Sequence, residues 1–354
     1  MSKLFSPITI KGITLKNRII VSPMCQYSAL DGFANDWHLV HLGSFAVGGA
    51  ALILVEATGV SPEARISPSD LGLWKDEHVE KLGQINTFIK QQGAIPGIQL
   101  AHAGRKASTM VPWVGRDAVK LEDGGWQTVA PMAIPYADNY PKPVALDMEG
   151  IQKVILDFKT ATGRALKAGF DVIEIHASHG YLLHQFLSPL SNQRMDSYGG
   201  TFENRTRLLL EVLDGVRSVL PQEKPLLVRI PGSDWAEGGW TPQDAVALAQ
   251  ILKDKGVDVM DVTSGGVVSH QKITVGPAYQ TPFAAKVKRE TGALTSTAGL
   301  ITNAVQAESI LVNEEADLIM IAREFLRDPH FPLRAAHELK VNIAWPVQYE
   351  RARW

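Results

Sequence analysis

Short aliphatic runs recur along this chain of 354 residues, each followed by a segment long enough for a helix, and this repetition constrains the fold more than any other feature. Their β-branched and aliphatic composition is typical of strands that are buried on both faces, and parallel strands need crossover segments between them. The eight runs lie at residues 18–21, 52–55, 96–100, 171–175, 226–230, 257–262, 293–297 and 317–321. Eight strand–helix units predict an α/β fold, a closed (β/α)8 TIM barrel.

Amphipathic segments lie between the runs, and we predict helices over residues 148–167, 204–219 and 242–255. Thr241 as N-cap and Pro242 at the first helical position mark the start of the last one. No linker-like stretch divides the chain, so we expect a single domain over residues 1–354.

The longest irregular stretch, residues 107–146, follows the third predicted strand. A barrel places active-site loops at that end of its strands, so we interpret this stretch as an extended active-site loop. A surface excursion without a role in the site is the alternative.

Charge and cysteine content exclude several classes of protein. Lys and Arg number 35 against 37 acidic residues, a net charge of -2, which leaves no basic surplus for a nucleic acid. Cys25 is the one cysteine, so neither a disulfide nor a thiolate-held iron–sulfur cluster can form, and we expect a reducing, cytoplasmic location. The longest apolar run, residues 46–55, is far shorter than the ~20 residues of a spanning helix, so we expect no membrane association.

Polar residues follow the predicted strands, where barrel enzymes carry their chemistry. The strands lead into residues 23–27 (PMCQY), 56–58 (EAT), 99–106 (QLAHAGRK) and 176–181 (HASHGY), and the fifth strand contains Arg229. Alternation along the fourth strand places Glu174 and His176 on its inward face. A buried carboxylate is costly unless it is paired, and Arg229 on the next strand is a candidate partner for Glu174.

Two imidazoles and a phenol lie within six residues, as His176, His179 and Tyr181. Together they can donate two hydrogen bonds to one oxygen and supply one weak acid. A metal site on the two histidines and a purely structural pair are the other interpretations, and the residues alone leave all three open.

The ends of the seventh and eighth strands are suited to a phosphate. Ala298-Gly299 and Ala322-Arg323 offer a glycine, free backbone N–H groups and a guanidinium, and Gly265 after the sixth strand could widen the same pocket. Neither a Gly-x-Gly-x-x-Gly nor a P-loop motif is present. We therefore predict no dedicated nucleotide domain, and a nicotinamide would have to bind and leave.

Taken together, these motifs resemble the Old Yellow Enzyme family of flavin-dependent ene-reductases, and within it the bacterial thermophilic-like subgroup. The resemblance covers nearly the whole chain. It rests on residues 23–27, 99–106, 176–181, 192–200, 203–205, 299–301 and 323. Ala322 departs from it, because several members of the subgroup have glycine there.

The resemblance implies a barrel that holds non-covalent FMN, with NADPH or NADH as transient reductant. It implies ping-pong reduction of electron-poor alkenes: α,β-unsaturated ketones and aldehydes, maleimides and nitroalkenes. In this scheme His176 and His179 bind the activating oxygen of the substrate, and Tyr27 also contacts the substrate. Hydride from flavin N5 reaches the β-carbon, and Tyr181 protonates the α-carbon. Preorganised donors at that oxygen would stabilise the charge that develops there.

A set of strand-end residues is assigned to FMN by the resemblance and by chemistry. A fixed guanidinium beside the N1–C2 edge favours the anionic reduced flavin, which suits Arg229. Gln99 suits the pyrimidine edge, and Ala57 leaves room for a flat ring. The complete predicted set is Pro23, Met24, Cys25, Ala57, Gln99, Arg229, Gly265, Ala298, Gly299, Ala322 and Arg323.

The tail, residues 345–354, also resembles that subgroup, in which a C-terminal arginine crosses a dimer interface into the neighbour's site. We therefore expect a homodimer or homotetramer in which Arg351 contacts the substrate of its partner; a solvated terminal arginine is the alternative. Rival functions are an iron–sulfur dienoyl-CoA reductase, which one cysteine argues against, a metal-dependent barrel hydrolase and a non-catalytic barrel. The resemblance assigns no role to Trp113, Trp126 or Tyr136.

Overall fold

The structure is a computed structural model and describes residues 2–115 and 117–354. Within these residues, the strands are β1 (Ile8–Ile10), β2 (Ile13–Leu15), β3 (Ile19–Val21), β4 (Leu52–Gly59), β5 (Ile95–Ala101), β6 (Val129–Ala130), β7 (Val144–Ala145), β8 (Val172–His176), β9 (Leu226–Pro231), β10 (Val259–Thr263), β11 (Thr295–Thr297) and β12 (Leu318–Ile321). Eight of them close a parallel barrel in the order β3-β4-β5-β8-β9-β10-β11-β12. The predicted (β/α)8 barrel is confirmed.

Helices follow the barrel strands and cover the outside of the barrel. They are α1 (Asp36–Val47), α2 (Val79–Gln91), α3 (Met148–Lys167), α4 (Leu182–Leu187), α5 (Phe202–Arg217), α6 (Pro242–Asp254), α7 (Thr281–Thr291), α8 (Ala304–Val312), α9 (Arg323–Arg327) and α10 (Phe331–Glu338). No helix in the described part of the chain is both long and apolar enough to cross a membrane.

The predicted strands and helices agree with the observed ones to within a few residues. The largest strand difference is at β4, which continues to Gly59 through a register shift between Val55 and Thr58. Helix α3 has the predicted bounds, whereas α5 begins earlier because the Thr201 side chain accepts a hydrogen bond from the Asn204 amide and caps the helix. Thr241 caps α6 as predicted.

Apolar side chains form one layer inside the barrel and a second layer between strands and helices. Val172 belongs to the inner cluster, while Ile173 and Ile175 belong to the outer one, so the predicted alternation along β8 is confirmed. The antiparallel pair β1–β2, which the strand pattern did not predict, adds Ile10 and Leu15 to the inner cluster. This hairpin therefore contributes to the barrel interior.

The C-terminal segment packs against α10. Its 3₁₀ helix, Val347–Ala352, places the Tyr349 ring 5.6 Å from the His330 ring, and the Trp354 ring lies 4.7 Å from that of His337. A cavity of about 590 Å³ separates part of this segment from Lys16, Asn17, Gln91 and Gln92. Asn17 and Gln91 stand just before β3 and at the end of α2, which is the amino-terminal end of the barrel strands.

Candidate active site

His176, His179 and Tyr181 come together at the carboxyl end of β8. The His176 and His179 rings are nearly perpendicular with centroids 5.2 Å apart, and His176 Nε2 lies 3.3 Å from His179 Nδ1. His176 Nδ1 accepts a hydrogen bond from the Ser178 amide at 3.2 Å, so the proton of a neutral His176 ring is on Nε2. His176 Nε2–H therefore donates to His179 Nδ1, and a ligand oxygen that binds between the two rings must replace this hydrogen bond.

Both imidazoles are neutral over the ordinary pH range. Burial holds the pKa of His176 well below its usual value, and nearby His179 and Arg229 lower it further. Burial likewise lowers the pKa of His179 well below its usual value, with Arg229 and Lys106 adding to the effect. They are hydrogen-bonding groups rather than charged ones.

Tyr181 keeps its phenolic proton. Burial raises the pKa of Tyr181 well above its usual value, and nearby Cys25 and Tyr27 raise it further. Its ring packs edge-on against His176 with centroids 5.0 Å apart, and Lys106 Nζ lies 5.3 Å from the ring centroid. A phenol held in this protonated form can act as a positioned acid but not as a base.

Arg229 is buried next to this cluster with more partners than the sequence suggested. Its Nε pairs with Asp261 Oδ2 and lies 3.7 Å from Glu174 Oε1. Its Nη2 contacts Ser22 Oγ at 3.1 Å. Burial lowers the pKa of Arg229, but its acidic neighbours, Asp261 first and then Glu174, raise it above its usual value. The guanidinium therefore remains charged. Glu174 is thus the predicted partner, and Asp261 is a closer one that sequence analysis missed.

A cavity of about 250 Å³ opens at the carboxyl end of the strands, next to this arginine. Its walls bring together six of the predicted cofactor residues: Pro23, Arg229, Ala298, Gly299, Ala322 and Arg323. Gly299 has a φ of +109°, and a Cβ there would lie 3.0 Å from the Tyr279 ring. Arg323 is exposed and forms no ion pair with a described residue. This corner combines close backbone approach with an available guanidinium, which is suited to a phosphate.

A second cavity of about 230 Å³ is lined by Tyr27 and Tyr181 together with Thr109, Met110, Pro112 and Tyr140 from the long irregular segment. Residues 107–146 therefore form part of the wall of this cavity. Tyr27 has a φ of +50°, a strained conformation for a residue with a side chain. Its ring meets Trp113 edge-on with centroids 5.7 Å apart.

Trp126 and Tyr136, two aromatic residues of the segment 107–146 to which the resemblance assigned no role, have different surroundings. Trp126 stacks near the Arg65 guanidinium at 4.9 Å and donates its Nε1 hydrogen to the Glu63 carbonyl oxygen at 3.0 Å, which anchors the loop. Tyr136 lies 4.7 Å from Lys106 Nζ. Lys106 also donates to the carbonyl oxygen of His179 at 2.8 Å. The only sequence signal for these contacts of Lys106 was its position shortly after the third predicted strand, which is β5 in the structure.

The other residues that were predicted to bind the cofactor and are described next do not line either of the two cavities. Met24 packs against the outer apolar cluster, Ala57 is buried on β4, and Gly265 follows β10 with a φ of +76°. Burial raises the pKa of Cys25 well above its usual value, with Asp70 and Glu56 adding to the effect, so its thiol is protonated. Among the described residues lining the two cavities, none comes from 345–354, so Arg351 is apart from the site of its own chain.

The two histidines do not form part of a larger ligand cluster. Across residues 2–115 and 117–354, no group of three or more His, Cys, Asp or Glu side chains is arranged to hold a metal ion. The Tyr181 ring packs against that of His176, and Lys106 Nζ donates to the carbonyl oxygen of His179.

Fold and site together are those of a (β/α)8-barrel enzyme with a cofactor site at the carboxyl end of its strands. Residues 3–342 match the NADH:flavin oxidoreductase / NADH oxidase family. The chain belongs to this family, the Old Yellow Enzyme family, and is an FMN-dependent oxidoreductase.

Individual relatives agree with this assignment. The chain is 49% identical over 350 residues to an NADPH dehydrogenase of Geobacillus thermodenitrificans (strain NG80-2), covering 98% of both chains. It is 47% identical over 351 residues to an NADPH dehydrogenase of Bacillus subtilis (strain 168), covering 99% of this chain and 98% of that one. Among solved structures, morphinone reductase superposes with a TM-score of 0.81 at 26% identity, covering 98% of this chain and 91% of that one.

Proposed function

We propose that this enzyme uses NADPH to reduce the C=C bond of electron-poor alkenes in two alternating half-reactions. The observation that carries the proposal is the convergence of His176 Nε2 and His179 Nδ1, 3.3 Å apart, beside a phenol that keeps its proton. FMN supplies the hydride chemistry when bound. The substrates would be α,β-unsaturated ketones and aldehydes, maleimides and nitroalkenes.

The residues present fit the flavin. Gly299, where a Cβ would approach Tyr279, and the guanidinium of Arg323, which forms no ion pair within the described part of the chain, would hold the phosphate. Arg229, kept cationic chiefly by Asp261, would face the edge of the ring that becomes anionic on reduction. Cys25 follows β3, and Ala57 lies in the second half of the neighbouring strand β4.

The chain's own residues would then divide the reaction on the substrate. On substrate binding, the hydrogen bond between neutral His176 and His179 would be replaced by N–H donation from each ring to the carbonyl or nitro oxygen, which gains negative charge in the transition state. Such preorganised donors typically contribute about 3 kcal/mol each to the barrier. Tyr181 would deliver its proton to the α-carbon, for which a protonated phenol is required. Tyr27 and the residues of the second cavity would shape the space for the alkene.

A second copy of the chain would complete the site. Arg351 is exposed and apart from the two cavities of its own chain, and the segment that carries it packs on α10. We propose that it reaches the substrate of a partner subunit in a homodimer or homotetramer. A cytoplasmic location is proposed with it, since the single cysteine suits a reducing compartment.

An anaerobic titration tests the proposed reaction. NADPH should bleach the absorption of the bound oxidised flavin, and 2-cyclohexenone added afterwards should restore it with formation of cyclohexanone. Bleaching without recovery on addition of the enone, or of N-ethylmaleimide as a second acceptor, would show an NADPH dehydrogenase that does not reduce alkenes. Recovery only on admission of oxygen would exclude the proposed substrate class.

A further inference from the structure

A buried histidine–aspartate pair lies behind the turn that carries the candidate catalytic residues. His184 on α4 and Asp234 after β9 are both 0% exposed, and His184 Nε2 is 2.8 Å from Asp234 Oδ1. Neither residue lines the two cavities, so neither would touch the substrate. The function proposed above makes no use of this pair.

The hydrogen bonds fix the proton of the imidazole. The Gly180 amide donates to His184 Nδ1 at 2.9 Å, so Nδ1 carries no proton. The proton is therefore on Nε2, which donates it to Asp234. The other carboxylate oxygen, Oδ2, accepts from Ser188 Oγ at 2.6 Å and from the Trp240 amide at 2.7 Å.

Asp234 is ionised in this arrangement. Burial alone would raise the pKa of Asp234, but the His184 imidazole and the hydrogen bonds from His184, Ser188 and Trp240 bring it below its usual value. A carboxylate that accepts all these hydrogen bonds holds its partners in fixed orientations. The proton position on His184 is thereby determined by Asp234.

The turn that receives this support is strained. His179 has a φ of +57° and Gly180 a φ of +73°. A Cβ at Gly180 would lie 1.9 Å from the Gly266 carbonyl oxygen, so the turn has no room to relax in that direction. The Gly180 carbonyl oxygen accepts from Gln185 Nε2 at 2.8 Å, so this residue is held at both its amide and its carbonyl group.

We propose that His184 and Asp234 act as a positioning pair for the reaction. Asp234 fixes His184 in the Nε2–H tautomer, and His184 Nδ1 fixes the Gly180 amide between His179 and Tyr181. The pair thereby sets the directions in which the His179 imidazole and the Tyr181 phenol point. This inference rests on the alkene reduction proposed above.

The variant Asp234→Asn tests the pair because it changes one hydrogen-bonding atom and little volume. The backbone N–H of Trp240 can only donate, so the amide oxygen of the new side chain must stay at its position. The amide nitrogen then faces His184 Nε2, and two donors cannot pair. Moving the His184 proton to Nδ1 removes this conflict, but Nδ1–H then opposes the N–H of Gly180, so the variant loses the hydrogen bond that holds this amide.

The expected result is a switch of the His184 tautomer together with weaker catalysis. In ¹⁵N-histidine NMR spectra, wild-type protein should show an Nε2–H tautomer at His184 and Asp234→Asn an Nδ1–H tautomer. We expect 2-cyclohexenone turnover to fall about 10- to 100-fold, by analogy with the outer-shell hydrogen-bond partners of metal-binding histidines, with FMN content unchanged. Thr162→Val is the matched control, since it removes a buried hydrogen bond inside α3 and should leave turnover unchanged.

Several outcomes would overturn the proposal. A wild-type His184 that carries its proton on Nδ1, or protons on both ring nitrogens, would overturn it, and this measurement does not depend on whether the variant folds. An Asp234→Asn variant in which the His184 tautomer has switched but turnover equals that of wild type would also overturn the proposal. If the wild-type protein fails to reduce 2-cyclohexenone, the proposed function fails instead. Two measurements still test the pair in that case: the wild-type tautomer of His184, and the affinity for 4-hydroxybenzaldehyde in wild type compared with Asp234→Asn. An equal affinity in both would reject it.

Discussion

Gln99 Nε2 donates a hydrogen bond to Glu174 Oε1 at 2.6 Å in the centre of the barrel, where the two residues are register partners on β5 and β8. The other oxygen, Glu174 Oε2, is buried without a partner among the described residues. Arg229 is shared with Asp261, which is the closer acid. Burial, together with the neighbouring Asp261, raises the pKa of Glu174 to about 8. The barrel therefore holds a carboxyl group that keeps its proton at neutral pH.

Glu174→Gln should change how stability depends on pH. Between the usual pKa of 4.5 and the raised value of about 8, folded wild type binds a proton that the unfolded chain has lost. Its free energy of unfolding therefore falls as pH rises through this window. The variant lacks this titration, so from pH 5 to pH 8 it should gain about 3 to 4 kcal/mol relative to wild type. Urea unfolding with excess FMN measures this difference.

The exposed Glu122 provides the control for this experiment, because its substitution to Gln should leave the pH slope of wild type unchanged. Parallel stability curves for wild type and Glu174→Gln across this pH range would contradict the prediction.

His176→Ala and His179→Ala should each weaken the binding of an oxygen ligand. Removing one donor to a developing oxyanion typically costs about 10²- to 10³-fold in turnover, so alkene reduction should fall by that order. The dissociation constant of 4-hydroxybenzaldehyde, followed through the flavin spectrum, should rise. Because both imidazoles are neutral, this binding should not change between pH 6 and 8 through their titration. Wild-type alkene turnover in both variants would reject the role of the pair.

Tyr181→Phe should retain FMN and NADPH oxidation but lose alkene turnover by about 10²- to 10⁴-fold, the usual contribution of a positioned acid. Stopped-flow measurement of the two half-reactions separates these effects. Tyr198→Phe is the matched control: Tyr198 is buried and donates to Glu211 at 2.8 Å, away from both cavities. If Tyr181→Phe reoxidises with the enone at the wild-type rate, another group supplies the proton.

Gly299→Ala should weaken FMN binding. The φ of +109° disfavours any residue with a Cβ, and that Cβ would press against Tyr279 at 3.0 Å. The loop must therefore move away from where the phosphate is expected, and we predict an increase of about tenfold or more in the FMN dissociation constant. Gly163→Ala is the control, because the space around Gly163 on α3 is open. Fluorescence titration with FMN distinguishes the two, and equal affinities would contradict the assignment.

Arg351→Ala should impair alkene binding while leaving FMN binding intact, since Arg351 lies apart from the cavities of its own chain. Mixing Arg351→Ala with Tyr181→Phe tests whether the residue acts across subunits. A hetero-oligomer would then contain one site with both residues, and activity should partly return. Wild-type kinetics of Arg351→Ala, or a monomer in sedimentation analysis, would exclude the proposed contribution.

The barrel and most of the residues at its carboxyl end could be predicted from the sequence. Eight strand-like runs separated by helix-length segments favour one closed sheet, and all parallel strands then end on the same side. Residues at or just after the ends of these runs, such as His176 and Gly299, must therefore lie on the same side of the barrel. The period-2 alternation also indicated that Glu174 faces inward. These inferences depend only on local pattern and on the geometry of parallel strands.

Tertiary structure alone decided which of these groups touch and in which protonation state. Three of these contacts join distant parts of the chain: the ion pair of Arg229 with Asp261, the packing of Trp113 against Tyr27, and the hydrogen bond between His184 and Asp234. The raised pKa of Glu174 and the lowered pKa of His176 come chiefly from burial, which no local pattern reports. Hydrogen bonds and desolvation depend on distances of a few tenths of an ångström, whereas strand periodicity fixes only which face a residue is on.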